Sequence, residues 1–388
     1  MNGNRLQVLF ISSWYPNKIR PLLGIFVKRH ALAVAELCDV AVIYAYATDS
    51  PSIEENIEED IYTIRVGYRK IANGIPVISQ FLKFRAYIKA YKKAALFYKE
   101  KKGVPDIVNL NVVFPAGMIA TYLKKIWNVP YIVTEHWTGY FPEDGRYKGA
   151  VMKYFTRKTI KNASAVVTVS YSLKNRMREV GLKNDYHVIS NVVDTRLFNL
   201  PETRSKNDNF NFIHVSSLDD DQKNVSGIVR VFAQVYQNEP KARLTIIGEG
   251  EAKGKLMELA KSLKLDNCVD LVGQKTGSEL TAIFQNADAF ILFSNYENLP
   301  CVMLETLCCG VPVIGTRVGD IPKYINSSNG ILVDSHNEKQ LSIAMEELIR
   351  KRDKYNPSDI RASVVVKVNS DVIANQFLSV YNKVLNRN

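Results

Sequence analysis

Two glutamates bracket a predicted helix start in the second half of the chain, and their placement suits recognition of a sugar on a diphosphate. Seven residues separate Glu297 from Glu305. Pro300 fits the first helical turn, where its missing N–H costs nothing, and Gly310 fits the C-terminal end of the helix. We therefore expect Glu297 in a strand-to-helix loop and Glu305 more than one turn into the helix, each able to accept hydrogen bonds from hydroxyl groups.

The backbone at this helix start could bind a diphosphate. The first N–H groups of a helix have no acceptor within the helix itself, and the helix dipole adds positive potential there. Asn298, Leu299 and Cys301 occupy this start, so we expect them to contact the phosphates of a bound diphosphate. Taken alone, these residues also fit a solvated helix with two incidental glutamates.

The wider pattern predicts an α/β fold. Short apolar runs alternate with longer amphipathic runs, and the alternation restarts after the polar segment 199–209. Such alternation indicates parallel sheets with crossover helices. We predict two doubly wound domains facing a cleft, one over 1–196 and one over 197–365, with ligands at the carboxyl ends of the strands. The segment 366–388 is predicted to be a helix that docks back on the N-terminal domain.

The segment 294–325 carries a specific resemblance. It contains Glu-Asn-Leu-Pro-Cys-Val-Met-Leu-Glu-Thr-Leu and, after two cysteines, Gly-Val-Pro-Val-Ile-Gly-Thr. This resembles the signature of glycosyltransferase family 4, retaining enzymes of the GT-B fold with two Rossmann-like domains. The resemblance implies that Glu297 contacts hydroxyls of the donor sugar and that Glu305 binds the ribose. Many relatives have Gly-Phe-Gly where this chain has Asn-Leu-Pro, and Pro300 offers no N–H.

Other residues of the C-terminal domain fit the same donor site by resemblance. Lys223 matches the lysine that neutralises the leaving diphosphate in relatives, whereas Ser217 stands where their arginine is expected. Gly248 lies in a Gly-Glu-Gly turn similar to the family's glycine turn. Val272 and Gly273 match the place where relatives read the base through backbone groups. From the residues alone, an ordinary surface lysine and an ordinary tight turn are the alternatives.

Two positions of the N-terminal domain are candidates for the same reaction. Gly24 opens a predicted helix, and a glycine there lets a ligand approach the backbone. In relatives this loop meets the acceptor and the donor phosphate. His136 follows a predicted buried strand, where its position and the resemblance favour an acid–base or hydrogen-bonding role over a structural one. Glu297, Lys223 and His136 are therefore the predicted catalytic residues.

The run Asp219–Asp221 raises the question of a metal. Paired aspartates hold Mg²⁺ on diphosphates in many transferases. Acidic residues before a helix start are more often caps, however, and the resemblance implies metal-independent catalysis. We expect no metal site, and no cofactor beyond the nucleotide-diphosphate sugar that serves as substrate.

The predicted function is transfer of a sugar, with retention of configuration, to a glycan or lipid-linked acceptor in cell-surface polysaccharide biosynthesis. Charge separates as the glycosidic phosphate bond breaks, so electrostatic stabilisation of the diphosphate should dominate. Double displacement needs a carboxylate under the sugar ring. The resemblance places Glu297 on the other side, which favours front-face departure and attack.

Two alternative functions stay open. A sugar-nucleotide epimerase shares this two-domain architecture, and a non-catalytic regulator could bind nucleotide without turnover. A dinucleotide dehydrogenase is disfavoured because no Gly-x-Gly-x-x-Gly follows the first predicted strand.

Composition limits the partners and the compartment. The chain has 388 residues and a formal net charge of +12, but no nucleic-acid-binding motif accompanies that charge, so we expect no nucleic-acid partner. The apolar run 6–11 is too short for a signal peptide, and no run approaches the length of a membrane span. The five cysteines lack a Cys-x-x-Cys spacing, which indicates a cytoplasmic protein with reduced thiols.

One predicted helix suggests contact with the inner face of a membrane. The segment 81–102 interleaves basic and aromatic side chains, a combination that suits the headgroup region of anionic lipid. An amphipathic helix with its rings packed inward is the alternative. The aromatic residues are Phe81, Phe84, Tyr87, Tyr91, Phe97 and Tyr98.

Overall fold

The computed structural model describes residues 5–72, 75–202 and 208–387, and its contacts divide the chain into two units. Unit 1 runs to Val192 and resumes at Ser370, and unit 2 is Val193–Asn369. The predicted boundaries 196/197 and 365/366 therefore both fall inside unit 2. A hydrogen bond of 2.9 Å from the N–H of Val193 to the carbonyl of Val368 joins the two ends of unit 2.

Unit 1 is a doubly wound sheet of eight strands. Its sheet order is β3-β4-β2-β1-β5-β6-β7-β8, and every pair is parallel except β3 with β4. The sequence does not predict β3, because its run of Ile-Glu-Glu-Asn-Ile-Glu is mostly charged and lies at the sheet edge. The elements are β1 Gln7–Ser12, α1 Ile25–Ala35, β2 Asp39–Thr48, β3 Ile53–Glu58, β4 Ile61–Arg69, α2 Pro76–Lys102, β5 Ile107–Asn111, α3 Gly117–Trp127, β6 Tyr131–Glu135, α4 Ala150–Asn162, β7 Ala165–Thr168, α5 Tyr171–Glu179 and β8 Tyr186–Val188.

Both faces of the unit 1 sheet are covered. Successive side chains of a strand point to opposite faces, so Leu9 and Ile11 of β1 join one hydrophobic core while Val8 and Phe10 join the other. Strands buried on both faces read as continuous apolar runs. That is why the sequence predicts most of these strands.

Helix α2 packs its aromatic residues in two different ways. Tyr87, Tyr91 and Tyr98 are buried in the core of unit 1, whereas Phe81 is 57% exposed. The interpretation of all six rings as a membrane-facing set is therefore wrong for these three tyrosines, because their spacing places them on the helix face that covers the sheet.

Unit 2 is a second doubly wound sheet, of six parallel strands. Its order is β11-β10-β9-β12-β13-β14, which confirms the predicted fold class. Helices α8 and α12 are additions to the sequence prediction. The elements are β9 Phe210–Val215, α6 Asp220–Lys223, α7 Val225–Asn238, β10 Ala242–Ile247, α8 Lys253–Ser262, β11 Val269–Leu271, α9 Gly277–Gln285, β12 Ala289–Leu292, α10 Cys301–Cys308, β13 Val313–Thr316, β14 Gly330–Val333, α11 Glu338–Arg350 and α12 Pro357–Val368.

The last helix, α13 (Ser370–Leu385), belongs to unit 1. Phe377 and Tyr381 are buried in the same core as Val27 and Ala31 of α1. The hydroxyl of Tyr381 accepts a hydrogen bond of 2.8 Å from the Asn109 side chain in β5. The chain thus returns to unit 1 after completing unit 2.

Candidate functional site

The loop between β12 and α10 holds the two glutamates singled out by the sequence. Glu297 lies in this loop and Glu305 is the fifth residue of α10, and both side chains are buried. Pro300 is the N-terminal cap of α10, one residue before the predicted start, because its ψ of 118° is extended. Gly310 follows the helix with φ of 72°, a conformation that glycine adopts without strain.

The end of β13 fixes the shape of this loop. The N–H of Asp320 donates to the carbonyl of Asn298 at 3.0 Å, and the Thr316 hydroxyl donates to the carbonyl of Ser294 at 2.8 Å. Gly319 has φ of 54°, and a Cβ there would overlap the carbonyls of Glu297 and Asn298. Only glycine allows this close approach of the two loops.

Lys223 and Glu297 form an ion pair. The Lys223 ammonium, at the end of α6, bonds Oε1 of Glu297, and the two side chains are 14% and 6% exposed. The Ser294 hydroxyl donates to the same Oε1 at 2.9 Å. Little water reaches this pair, so its electrostatic attraction is stronger than that of an exposed pair. Glu297, predicted to contact the donor sugar, and Lys223, predicted to contact the diphosphate, therefore lie in direct contact.

Backbone bonds hold the Lys223 loop against the Glu297 loop. The N–H of Asn295 donates to the carbonyl of Gln222 at 2.8 Å, and the Gln222 side chain donates to the carbonyl of Tyr296 at 3.3 Å. Asn224 takes the left-handed conformation, with φ of 49°, which lets the chain leave α6 and enter α7. The position of Lys223 is thus set by the carboxyl ends of β9 and β12 together.

The Gly-Glu-Gly turn lies against the segment that carries Ser217. A Cβ on Gly248 would overlap the carbonyl of Ser216, and one on Gly250 would overlap that of Ser217. The N–H of Gly248 donates to the carbonyl of Gly273 at 2.9 Å. Gly248, Gly273 and Ser217 therefore meet at neighbouring strand ends, and Val272, before Gly273, is partly exposed there.

A lysine missed by the sequence analysis lies near Ser217. A cavity of about 730 Å³ at the ends of β9 and β10 is lined by both Ser217 and Lys255 of α8. Ser217 replaces the arginine expected from the family. Lys255 is the one cation among the described residues that line this cavity, beside the carboxylates of Asp219, Asp220, Asp221 and Glu251. No sequence signal marked Lys255, because α8 was not predicted and the residue reads as an ordinary surface lysine.

Asp219 and Asp220 act at helix starts. The Asp219 carboxylate caps α6 by accepting from the N–H of Gln222 at 3.3 Å, and Asp220 accepts from the N–H of Ser226 at 2.8 Å. These bonds match the capping interpretation. Among the residues the structure describes, no three His, Cys, Asp or Glu side chains are grouped to hold a metal ion.

His214 is a second residue missed by the sequence analysis. Its ring is fully buried between β9 and β12, with Nδ1 2.8 Å from the carbonyl of Ile291 and Nε2 2.8 Å from the Ser216 hydroxyl. Burial lowers the pKa of His214 to about 4. The neutral ring thus fixes Ser216, whose hydroxyl also accepts from the N–H of Leu218 at 3.1 Å.

In unit 1, Gly24 and His136 lie at the carboxyl end of the sheet. Gly24 caps α1 with φ of 69°, and a Cβ there would overlap the carbonyl of Trp14. The ring of Phe26 lies 4.4 Å from that of His136, measured between centroids. The helix opened by Gly24 therefore packs directly on the predicted histidine.

Glu135 anchors the loop that carries His136. Its fully buried carboxylate accepts from the N–H groups of His136 at 2.8 Å, Trp137 at 3.0 Å and Val113 at 3.0 Å. It also accepts from the Tyr140 hydroxyl at 3.1 Å. Burial raises the pKa of Glu135 while these hydrogen bonds oppose the rise. The sequence offered only its place at a strand end, and no role was predicted for it.

His136 is a neutral ring in this setting. Burial lowers its pKa well below the ordinary value, and the nearby His30 ring, 5.2 Å away between centroids, lowers it further. Burial also lowers the pKa of His30 to about 4, and the Nε2 of His30 lies 2.9 Å from the carbonyl of Ser190. Hydrogen bonding, rather than acid catalysis, is the chemistry that a neutral His136 can provide.

Two family patterns match the chain over adjoining ranges. The pattern described as glycosyl transferases group 1 matches residues 195–362, and that described as Glycosyltransferase Family 4 matches residues 23–197. The chain belongs to glycosyltransferase family 4, and its fold is the GT-B fold of that family.

Individual proteins show the same likeness. The chain is 28% identical to N-acetyl-alpha-D-glucosaminyl L-malate synthase of Bacillus anthracis, over 72% of this chain and 75% of that protein. It is 23% identical to the putative teichuronic acid biosynthesis glycosyltransferase TuaC of Bacillus subtilis, over 88% of each. The crystal structure of HepE from Anabaena in complex with UDP is 16% identical and covers 97% of this chain and 100% of its own, with a TM-score of 0.73.

Proposed function

We propose that this glycosyltransferase moves a sugar, with retention of configuration, from a nucleotide-diphosphate donor to a glycan or lipid-linked acceptor. The observation that carries the proposal is the contact of Lys223 with Glu297 beside the start of α10, with Glu305 one turn further on. These residues supply a cation from α6, and backbone N–H groups and two carboxylates from the β12–α10 loop and α10. A nucleotide sugar needs that set, since it carries a diphosphate and two groups of hydroxyls.

The charges suit departure of a diphosphate. As the glycosidic bond lengthens, negative charge grows on the diphosphate, and Lys223 together with the start of α10 stabilises it. The donor competes with Glu297 for the Lys223 ammonium and offers its own hydroxyls to Glu297. Because these groups neutralise the leaving group, the proposed reaction is metal-independent.

Retention is proposed to follow a front-face route. The Glu297 carboxylate is held by Lys223 and Ser294, which lowers its availability as a nucleophile. The neutral His136 fits a role in hydrogen bonding to the donor sugar. The nucleotide is proposed to be surrounded by residues of the helix start and of neighbouring strand ends: Asn298, Leu299, Cys301, Gly248, Ser217, Val272 and Gly273. Gly24 is proposed to lie against the donor phosphate.

The setting proposed for the reaction is cell-surface polysaccharide biosynthesis, with unit 1 as the acceptor unit and unit 2 as the donor unit. The relative named for teichuronic acid biosynthesis and the neighbour bound to UDP support this setting and the nucleotide donor. No helix in the described part of the chain is long and apolar enough to cross a membrane.

We place the chain in the cytoplasm, resting on the inner face of the membrane. The start of α2 supports that placement, because Phe81 and Leu82 are 57% and 43% exposed beside the exposed cations Lys83 and Arg85. Exposed apolar side chains next to cations suit an anionic lipid surface.

A thermal-shift screen of UDP-, GDP- and ADP-sugars tests the donor assignment. A ligand that binds only the native state raises the melting temperature, so one nucleotide series should stabilise the chain. Glu305→Ala should reduce that stabilisation, whereas the surface variant Glu347→Ala should not. If no nucleotide sugar stabilises the wild-type chain, the proposal is wrong.

A further inference from the structure

A second large cavity lies wholly in unit 1. It has a volume of about 960 Å³ and opens at the carboxyl ends of β1, β2 and β4. Rings of Tyr44 and Tyr46 stack with centroids 6.0 Å apart, and Tyr68 meets Tyr87 edge to face at 6.3 Å. With Trp14, these side chains give the cavity an aromatic wall. Aromatic walls with a few polar groups are typical of small-molecule sites, and ring faces suit the C–H faces of sugars.

The charged residues of the cavity are mostly positive. Arg20, Lys70 and Lys83 line it, and Asp49 is the one carboxylate among the described residues of the lining. Lys70 pairs with Asp49 at 2.7 Å, which leaves a surplus of two positive charges from three cations and one anion. Such a surplus raises the local concentration of anionic ligands.

The tyrosines do not offset that surplus. Burial raises the pKa of Tyr44 to about 12, although Arg20 opposes the rise, and burial also raises the pKa of Tyr46 and Tyr68. All three therefore stay protonated near neutral pH and can donate hydrogen bonds. The cavity thus offers cations and hydroxyl donors to the same ligand.

The cavity adjoins the predicted catalytic histidine through packed rings. Trp14 lies in the cavity wall and meets Phe26 edge to face at 6.3 Å. Phe26 in turn packs on His136 at 4.4 Å. A ligand in the cavity is therefore close to the loop that the proposed function assigns to the reaction.

We infer that this cavity binds the acceptor, and that the acceptor is a saccharide bearing a phosphate or a carboxylate. The inference rests on the proposed function and narrows its acceptor to an anionic class. Arg20 and Lys83 contact the anionic group, and the tyrosines and Trp14 hold the sugar ring. A neutral saccharide should bind more weakly, because it has no negative charge for these cations to attract.

Fluorine NMR of the chain labelled with 5-fluorotryptophan tests this assignment at one residue. The chain has three tryptophans, and Trp14→Phe identifies the resonance of Trp14. The probes are glucuronic acid, glucose 1-phosphate and neutral methyl glucoside. We expect an anionic probe to shift the Trp14 resonance with about tenfold tighter binding than the neutral probe. Comparing the affinities of glucuronic acid and glucose 1-phosphate shows whether the cavity prefers a carboxylate or a phosphate.

Variants of the charged residues test whether these charges cause the preference for the anionic probe. Arg20→Gln with Lys83→Gln should abolish the preference for the anionic probe, and Asp49→Asn should strengthen binding of that probe. Lys18→Gln is the matched control, because Lys18 is an exposed cation of the same loop, paired with Glu54 outside the cavity lining. It should leave the preference unchanged.

Equal affinity for neutral and anionic probes, or no shift of the Trp14 resonance by any probe, overturns the inference. Stabilisation by nucleotide sugars, measured separately on the same labelled chain, keeps this outcome distinct from failure of the proposed function. If nucleotide sugars stabilise the chain while the probes do not discriminate, only the acceptor assignment falls.

Discussion

The two units place different chemistry at the carboxyl ends of similar sheets. In unit 2 the site is charged, with the ion pair of Lys223 and Glu297 nearly enclosed by neighbouring loops. In unit 1 the corresponding region carries two neighbouring buried rings with lowered pKa, His136 after β6 and His30 in α1. Unit 2 is therefore equipped to stabilise charge, whereas the histidines of unit 1 position groups without adding charge.

This difference follows from burial and partners. A buried histidine without an acidic partner stays neutral because water no longer stabilises its charged form. A buried lysine beside a carboxylate keeps a compensated charge. The same sheet architecture thus supports two electrostatic environments, and the following variants test each.

The largest expected effect is on turnover in unit 2. Lys223→Ala should lower kcat by about 100- to 1000-fold, because Lys223 is proposed to meet charge that develops in the transition state. Donor affinity should change less. Lys351→Ala, which breaks an exposed pair with Glu347 on α11, should leave kcat unchanged. Steady-state kinetics with the best donor of the screen measures both, and a wild-type kcat in Lys223→Ala would remove this lysine from the mechanism.

The pH dependence of stability should reflect the neutral histidines. The folded-state pKa of His30 and His214 is about 4, below the ordinary 6.5. Between these two pH values the unfolded chain therefore binds more protons than the folded chain. The free energy of unfolding should be highest above about pH 6.5 and should fall as the pH drops toward 4, by about 3 kcal/mol for each ring.

Urea unfolding across this pH range measures the effect. His30→Gln should flatten the dependence, whereas His187→Gln, at a partly exposed position, should preserve it. An unfolding free energy that stays constant from pH 7 to pH 4 would show that these rings are not held neutral.

Donor binding should depend on Glu305 more moderately. Glu305→Ala removes hydrogen bonds proposed to the ribose and should weaken binding by about 1–3 kcal/mol. Glu305→Gln keeps one acceptor oxygen and should lose less. Calorimetry with the nucleotide diphosphate gives both affinities. Binding as tight as wild type in the alanine variant would disprove the ribose assignment and leave Lys223 as the only supported part of the site.

The smallest effect concerns the surface of unit 1 that is proposed to contact a membrane. Liposomes with anionic lipid should retain the full chain at low salt and release it at high salt, since each cation near the surface adds about 1 kcal/mol. Phe81→Ser with Leu82→Ser should weaken retention, and Leu96→Ser, equally exposed on the far half of α2 at 55%, should not. Equal absence of binding to neutral and anionic liposomes at low salt would contradict the placement.

Sequence reasoning predicted the regular parts of this molecule well. Buried parallel strands are continuous apolar runs, so β1 and β12 stand out, and Pro300 and Gly310 mark the limits of α10 to within two residues. Edge strand β3 was not predicted, because its charged residues face solvent. The direction in which the α2 aromatics pack could not be predicted, since rings and lysines share one helix and only the sheet decides which face is buried.

The site was predictable where a motif marks it. Glu297, Glu305 and Lys223 belong to recognisable patterns, but the contact of Lys223 with Glu297 depends on the folding of loops 74 residues apart in sequence. Lys255 and His214 became visible only through tertiary structure, because a lone lysine and a strand histidine carry no local signal. Glu135 is similar: three of its four hydrogen-bond donors follow it in 136–140, but the fourth is the N–H of Val113, 22 residues earlier.

The most direct test of the central claim is to follow a panel of UDP-, GDP- and ADP-sugars with the enzyme by proton and phosphorus NMR. We expect one donor to release nucleotide diphosphate and free sugar slowly, with the sugar first appearing in the anomeric configuration it had in the donor. The release should persist in EDTA and disappear in Lys223→Ala. Isomerised donor without release would indicate an epimerase, and a bound donor that never changes would indicate a regulator; either result would contradict the account.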